Sequence, residues 1–312
     1  MALNILFAAG PGEWEVWRPH LDTALRKAGL DVTLRPLPDL APDEVDYILY
    51  APDSSLQDFA PFTRLKAVLN LWAGVEDVIT NPTLRVPLAR MVDPGLERGM
   101  VEWVCTHVLR HHLGIDAHIR NPDHRWSPHV PPLATDRPVT MLGLGELGSA
   151  AARALSDFGF PVTGWSRSAK AIPGISCTHG QLGLVQALEL AQIVVLLLPA
   201  TARTENILNA ETLAMLPKGA VILNPGRGTL IDDDALLAAL DRGHIAHATL
   251  DTFRSEPLPA DHPYWQHPQV TVTPHIASTT RPETASEVLA GNIARSEAGR
   301  PLLDLVDPAQ GY

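Results

Sequence analysis

Val139-Thr140-Met141-Leu142-Gly143-Leu144-Gly145-Glu146-Leu147-Gly148 decides how the chain is read. A short apolar run passes directly into GxGxxG, and a helical pattern from Leu147 to Phe158 follows. A glycine-rich turn alone is a weak signal. A strand before it and a helix after it give it the context of a dinucleotide-binding loop. Gly143 permits the tight turn, Gly145 lets backbone approach a pyrophosphate, and Gly148 lets helix lie close to strand. Amides at the helix N-terminus then face the phosphates. Glu146 and Leu147 complete this expected cofactor loop.

The next strand pattern ends at Gly164-Trp165-Ser166-Arg167-Ser168. NAD-binding loops usually place an acid about 20 residues past the glycines, where it accepts both ribose hydroxyls. Ser166 holds that place here, and Arg167 follows it. A guanidinium suits a dianionic 2′-phosphate, so Ser166, Arg167 and Ser168 point to NADPH in preference to NADH. The plainer alternative is a solvated loop arginine.

Around this loop, apolar runs of strand length alternate with amphipathic stretches, the pattern of α/β folds with parallel sheets. Upstream, strands are expected at Leu3–Ala8, Val32–Leu37, Val45–Tyr50 and 66–71, with a helix at Trp14–Ala28. A long helical pattern runs from Gly99 to Leu113. Downstream of the loop, strands are expected at Val162–Trp165, Ile193–Leu198, Ala220–Asn224, His247–Leu250 and Val270–Thr273. Helices are expected at 232–241 and Pro282–Ala298. Two such series imply two doubly wound domains with a cleft between them, where ligands usually bind.

The composition agrees. Of 312 residues, 46% are hydrophobic and 19% charged, enough to build two cores and unlike a disordered or fibrous chain. A net charge of −11 argues against nucleic acid and anionic membrane as main partners. No apolar run nears the roughly 20 residues of a membrane helix, and no basic, apolar leader opens the chain. Cys105 and Cys177 are too few for a disulfide framework. A cytoplasmic globular protein is expected.

Three later segments each follow a strand pattern: Asn224-Pro225-Gly226-Arg227-Gly228, Asp251-Thr252-Phe253-Arg254-Ser255-Glu256-Pro257 and Thr273-Pro274-His275-Ile276-Ala277-Ser278. In a parallel sheet such strand ends fall along one edge. Their chemistry fits reduction of a 2-oxo acid. Arg227 can polarise the carbonyl and pair with the carboxylate. His275 can protonate the developing alkoxide while hydride arrives from the cofactor. Glu256, bonded to the other ring nitrogen, would orient the imidazole and favour its charged form. Leu198, Pro199 and Thr204 are further expected cofactor contacts.

Other features invite plainer readings. His107 and His111 are spaced i,i+4, which can bind zinc, but no HExxH pattern surrounds them, and a surface or subunit face is favoured over metal. No metal is expected. Trp14, Trp17 and Trp103 read as packing residues, and Asp232-Asp233-Asp234 as a helix start.

With these motifs in place, the chain resembles the D-2-hydroxyacid dehydrogenase family, and within it the glyoxylate/hydroxypyruvate reductase A branch. The match is carried end to end by Ala73-Gly74-Val75, the glycine loop, Trp165-Ser166-Arg167-Ser168, Leu230–Leu240, Arg254–Pro259, Trp265-Gln266-His267-Pro268 and Gly311-Tyr312. The resemblance implies Arg227, Glu256 and His275 as the catalytic set. Asp251, by the same resemblance, supports the cofactor carboxamide, unless it simply satisfies backbone amides. It implies a Rossmann domain at 99–276 and a flavodoxin-like substrate domain from 1–98 and 277–312. Trp72, Ala73 and Gly74 would join Arg227 and His275 in binding substrate, although the family commonly has glycine where Trp72 stands. A homodimer through the cofactor domains is implied, with Trp126 resembling a segment that reaches a partner's site. The expected activity is NADPH-dependent reduction of glyoxylate or hydroxypyruvate. Alternatives are oxidation of phosphoglycerate or another D-2-hydroxy acid, and a non-catalytic NADP(H)-sensing protein.

Overall fold

In the computed structural model, described for every residue except Met1, Pro122, Gln310 and Tyr312, two units separate by their internal packing. One comprises Met1–Leu96 with Thr279–Tyr312, the other Glu97–Ser278. Tyr312 of the terminal Gly311-Tyr312 pair lies outside the described residues. The elements begin with β1 (Leu3–Ala8), α1 (Glu13–Lys27), β2 (Val32–Pro36), β3 (Tyr47–Tyr50), β4 (Ala67–Asn70), α2 (Glu76–Ile79) and β5 (Leu88–Ala89). They continue with α3 (Pro94–Leu113), α4 (Asp116–Ile119), β6 (Val139–Leu142), α5 (Glu146–Asp157), β7 (Val162–Ser166), β8 (Ser176–His179) and α6 (Gly180–Glu189). The rest are β9 (Ile193–Leu196), α7 (Ala210–Met215), β10 (Ala220–Asn224), α8 (Asp233–Asp241), β11 (Ile245–Leu250), β12 (Val270–Val272) and α9 (Pro282–Glu297).

The first unit holds a parallel sheet in the order β2-β1-β3-β4-β5, a flavodoxin-like winding. β3 and β4 are buried at every position because both faces are covered. Trp17, Leu21, Leu289 and Ile293 from α1 and α9 pack on one face, while Phe59, Phe62 and Val78 pack on the other. The turn Trp72–Gly74 follows β4. Asn70 Nδ2 donates to the carbonyls of Trp72 and Gly74 at 2.8 and 2.7 Å, which fixes that turn.

The second unit holds seven parallel strands in the order β12-β11-β10-β9-β6-β7-β8. The winding runs outward in both directions from the β6/β9 pair. That pair is the switch point of a Rossmann fold, and ligands bind beyond its strand ends. Asn224, Leu250 and Val272 pair laterally, so β10, β11 and β12 end at one level.

Several expected boundaries move. α3 starts at Pro94, not Gly99, because Asp93 caps it. Its Oδ1 accepts the amides of Gly95 at 2.8 Å and Leu96 at 3.2 Å, and proline suits the first helical position. β8, α6 and α7 lie outside the expected series. β8 is an edge strand with no buried residue, so no apolar run announces it. α6 opens with Gly180 at φ +66°, an unfavourable start by propensity. α7 is short and rests on a capping box between Asn209 and Thr212. Trp17 and Trp103 are buried, and Asp232 caps α8 by accepting the Ala235 amide at 3.0 Å. Among the described residues, no helix is long and apolar enough to cross a membrane.

Candidate active site

The glycine loop shows the spatial demands read from its sequence. Gly143 has φ +110°, and a Cβ there would lie 2.3 Å from the Leu197 carbonyl oxygen. A Cβ on Gly148 would lie 2.0 Å from the Gly143 carbonyl oxygen, so helix and loop touch backbone to backbone. A Cβ on Gly145 would meet nothing within 4 Å, leaving space above the N-terminus of α5. That terminus has no side-chain cap, so its amides are available to an anion. The loop therefore fits a pyrophosphate.

Beside it, Ser166 closes β7 and donates from Oγ to the Ser168 carbonyl at 2.8 Å, shaping the turn that carries the exposed Arg167. Lys170, which the sequence motifs do not single out, donates from Nζ to the Leu144 carbonyl at 2.5 Å. Its signal in the sequence is only a second cation a few positions after Ser166. No carboxylate occupies residues 166–170. Leu198 and Pro199 follow β9, and Thr204 Oγ1 ties this loop by donating to the Pro199 carbonyl at 2.6 Å.

The ends of β10, β11 and β12 carry the remaining groups. Asn224, fully buried, donates from Nδ2 to the Arg227 carbonyl at 2.9 Å, and its Oδ1 accepts the Gly226 amide at 3.2 Å. Arg227 Nη1 donates to the Gly226 carbonyl at 2.8 Å. Asp251 has no exposed surface. Its Oδ1 accepts from Thr273 Oγ1 at 2.6 Å and from the Ile276 amide at 2.9 Å, and its Oδ2 accepts the Ala277 amide at 2.9 Å. The result is a clamped loop whose His275 sits at φ +53°, a region that non-glycine residues rarely adopt.

Within that loop His275 Nδ1 lies 2.7 Å from Glu256 Oε2. Glu256 Oε1 in turn accepts the Phe253 amide at 2.8 Å, so the carboxylate is held at both oxygens. Nδ1 being engaged, Nε2 is the ring nitrogen left to exchange a proton with a ligand. The structure thus brings Glu256 and His275 into direct contact and puts Arg227 on the adjacent strand end. Trp72, Ala73 and Gly74 belong to the first unit, where Trp72 is 43% exposed.

The histidines of α3 are half-buried or buried and do not stand on an open surface. His111 Nε2 lies 2.9 Å from Thr249 Oγ1 and its ring 4.8 Å from that of His247, while His247 Nε2 lies 2.8 Å from Thr271 Oγ1. Desolvation pulls His111 down to about 3 and His107 and His247 to about 4, with Arg110 adding to the effect. Among the described residues, no group of three or more His, Cys, Asp or Glu side chains could hold a metal ion.

Comparison with known proteins decides the family. The family model "D-isomer specific 2-hydroxyacid dehydrogenase, NAD binding domain" matches residues 103–277. This chain belongs to the D-isomer specific 2-hydroxyacid dehydrogenases. A similar protein is the glyoxylate/hydroxypyruvate reductase A of Yersinia enterocolitica, 36% identical over 99% of this chain and 100% of that one. Among solved structures, a D-isomer specific 2-hydroxyacid dehydrogenase of Xanthobacter autotrophicus in complex with NADPH and MES is 42% identical. It has a TM-score of 0.93 and covers 100% of both chains. The NADPH-dependent glyoxylate/hydroxypyruvate reductase of Sinorhizobium meliloti, in complex with NADP and sulfate, is 34% identical. Its TM-score is 0.84, over 99% of this chain and 100% of that one. For a dehydrogenase of this family, Gly143–Gly148 and the clamped His275 loop lie at strand ends of the same sheet.

Proposed function

We propose that this 2-hydroxyacid dehydrogenase reduces small 2-oxo acids, glyoxylate and hydroxypyruvate, with NADPH. The observation that carries the reading is the Glu256–His275 pair, 2.7 Å apart, beside Arg227 on the neighbouring strand end. The printed names of the Yersinia and Sinorhizobium relatives support the substrate, and the NADPH and NADP bound in the solved structures support the cofactor.

In this reading Gly143, Gly145, Glu146, Leu147 and Gly148 hold the pyrophosphate through loop and helix amides. Ser166, Arg167 and Ser168, joined by Lys170, take the 2′-phosphate. Leu198, Pro199, Thr204 and Asp251 shape the nicotinamide end. When bound, the nicotinamide supplies the hydride that reduces the carbonyl carbon. Arg227 pairs with the substrate carboxylate and draws electron density from its carbonyl. His275, charged, gives its Nε2 proton to the carbonyl oxygen as the alkoxide forms. Glu256 accepts from Nδ1, which fixes the ring's orientation and leaves Nε2 as the proton donor.

A cytoplasmic homodimer, associated through the unit Glu97–Ser278, belongs to the same reading. Exposed apolar side chains at Ile119, Trp126, Val130 and Leu133 support a covered surface there. The test is the initial rate of oxidation of NADPH and of NADH with glyoxylate and hydroxypyruvate. Turnover favouring NADPH by about tenfold or more, roughly 1.4 kcal/mol, is expected. Equal use of NADH would overturn the cofactor assignment, and no turnover with any short 2-oxo acid would overturn the reaction class.

A further inference from the structure

The turn that carries Glu256 contains a second charged residue, Arg254, whose guanidinium is engaged by groups outside the reacting pair. Its guanidinium Nη2 donates to the Ile231 carbonyl at 2.6 Å and also meets Asn206 Oδ1. Its Nε lies 3.7 Å from Asp233 Oδ2, and Nη1 lies 3.7 Å from Glu205 Oε1. Ile231 directly follows the single 3₁₀ turn Gly228–Leu230 that opens at Arg227. Asn206 belongs to the same corner, because its amide donates to the Thr229 carbonyl at 2.9 Å.

The two turns are in backbone contact beneath the guanidinium. A Cβ at Gly228 would lie 1.9 Å from the Phe253 carbonyl carbon and 2.4 Å from the Arg254 nitrogen. Arg254 thus fastens from the side what Gly228 allows to touch from below. Burial pushes Asp233 above the usual carboxylate range, while Tyr264 Oη, donating at 2.8 Å, and the Arg254 charge oppose that rise. Nη2 meets the backbone and amide acceptors, while Nε and Nη1 face the carboxylates of Asp233 and Glu205. A single ammonium cannot span them.

We propose that Arg254 is a positioning residue: it locks the Glu256 turn to the turn after Arg227, and so fixes Glu256 and His275 relative to the Arg227 side chain. This rests on the reading of those three as the reacting set. Misplacement of such groups by about 1 Å costs about 100-fold in rate. Arg254 touches neither substrate nor cofactor in this account, so binding is unaffected.

The experiment compares wild type, Arg254→Ala and Arg254→Lys. For each, kcat, KM for glyoxylate, the NADPH dissociation constant by fluorescence titration, the thermal midpoint and the imidazole ¹⁵N resonances of His275 are measured. The His275 signals are assigned against His275→Gln. Arg254→Ala is expected to lose about 100-fold in kcat, to keep NADPH affinity within about twofold, and to shift the His275 resonances. Arg254→Lys is expected to recover the thermal midpoint and only part of the rate. Unchanged kcat and unchanged His275 resonances overturn the proposal. So does a loss shared equally by NADPH affinity and tracking the thermal midpoint, which marks a brace for the fold alone. If Arg254→Ala does not fold, the same readouts on Arg254→Lys decide. A wild type without turnover counts against the proposed reaction only, since the imidazole resonances still test the positioning.

Discussion

Ser166 stands where a carboxylate would accept the two ribose hydroxyls of NADH, and Arg167 follows it, so a cation replaces the usual acid beside the ribose and sets the expected cofactor. Lys170 sharpens the point, because its ammonium is held against the Leu144 carbonyl of the glycine loop, close to the Arg167 turn. Hydrogen bonds to charged groups contribute about 1.5–3 kcal/mol. Arg167→Ala and Lys170→Met should therefore each weaken NADPH binding by about tenfold or more and leave NADH binding nearly unchanged. Calorimetric titration with 2′,5′-ADP and with ADP checks this directly. Equal losses for both nucleotides would remove the two cations from the 2′-phosphate site. Arg167 was legible in the sequence because the strand end after a glycine loop has a defined chemical task. Lys170, Asn224 and Arg254 were not, because each acts through a backbone carbonyl or a neighbouring turn that only the folded chain supplies.

The packing of α3 on β11 and β12 makes a different kind of prediction. His111 and His247 face each other there, with Arg110, Asp116, Thr249 and Thr271 around them, and His107 lies one turn earlier. Burial keeps all three neutral in the folded state, at about 3 for His111 and about 4 for His107 and His247, against an ordinary 6.5. The unfolded chain binds more protons in this range, so stability is full above about pH 6.5 and falls as the pH drops toward 4. Each histidine contributes at most about 1.4 kcal/mol per pH unit. Urea unfolding measured across that window should show the loss, and His247→Gln, which keeps a partner for Thr271, should make it less steep while His107 and His111 sustain the rest. A stability that is level from pH 6.5 to 4 would contradict the buried, neutral assignment. At this scale the sequence was most legible where strands are covered on both faces, as in the apolar runs of β9 and β10. It was least legible at β8, exposed on the sheet edge, and at α3, where apolar periodicity hides how the helix meets the sheet.

For the molecule as a whole, two parallel sheets with different strand orders come from one 312-residue chain. Their presence was readable because βαβ alternation leaves few topologies open. The division between them was harder to read, since it falls after Leu96 inside α3 and before Thr279, two residues outside the expected 99–276 on each side. Neither place carries a change of composition. What the fold achieves is lateral order: pairing of Asn224, Leu250 and Val272 lines up three loops whose key side chains are widely separated in sequence. In the proposed reaction Arg227, Glu256 and His275 act together on one carbonyl. Its most direct test is kcat for glyoxylate reduction by NADPH in wild type, Arg227→Ala and His275→Ala, with NADPH affinity measured separately. His275→Ala is expected to lower kcat by about 10²–10⁴ and Arg227→Ala by a comparable factor, both with NADPH affinity intact. Turnover close to wild type in either variant would contradict it.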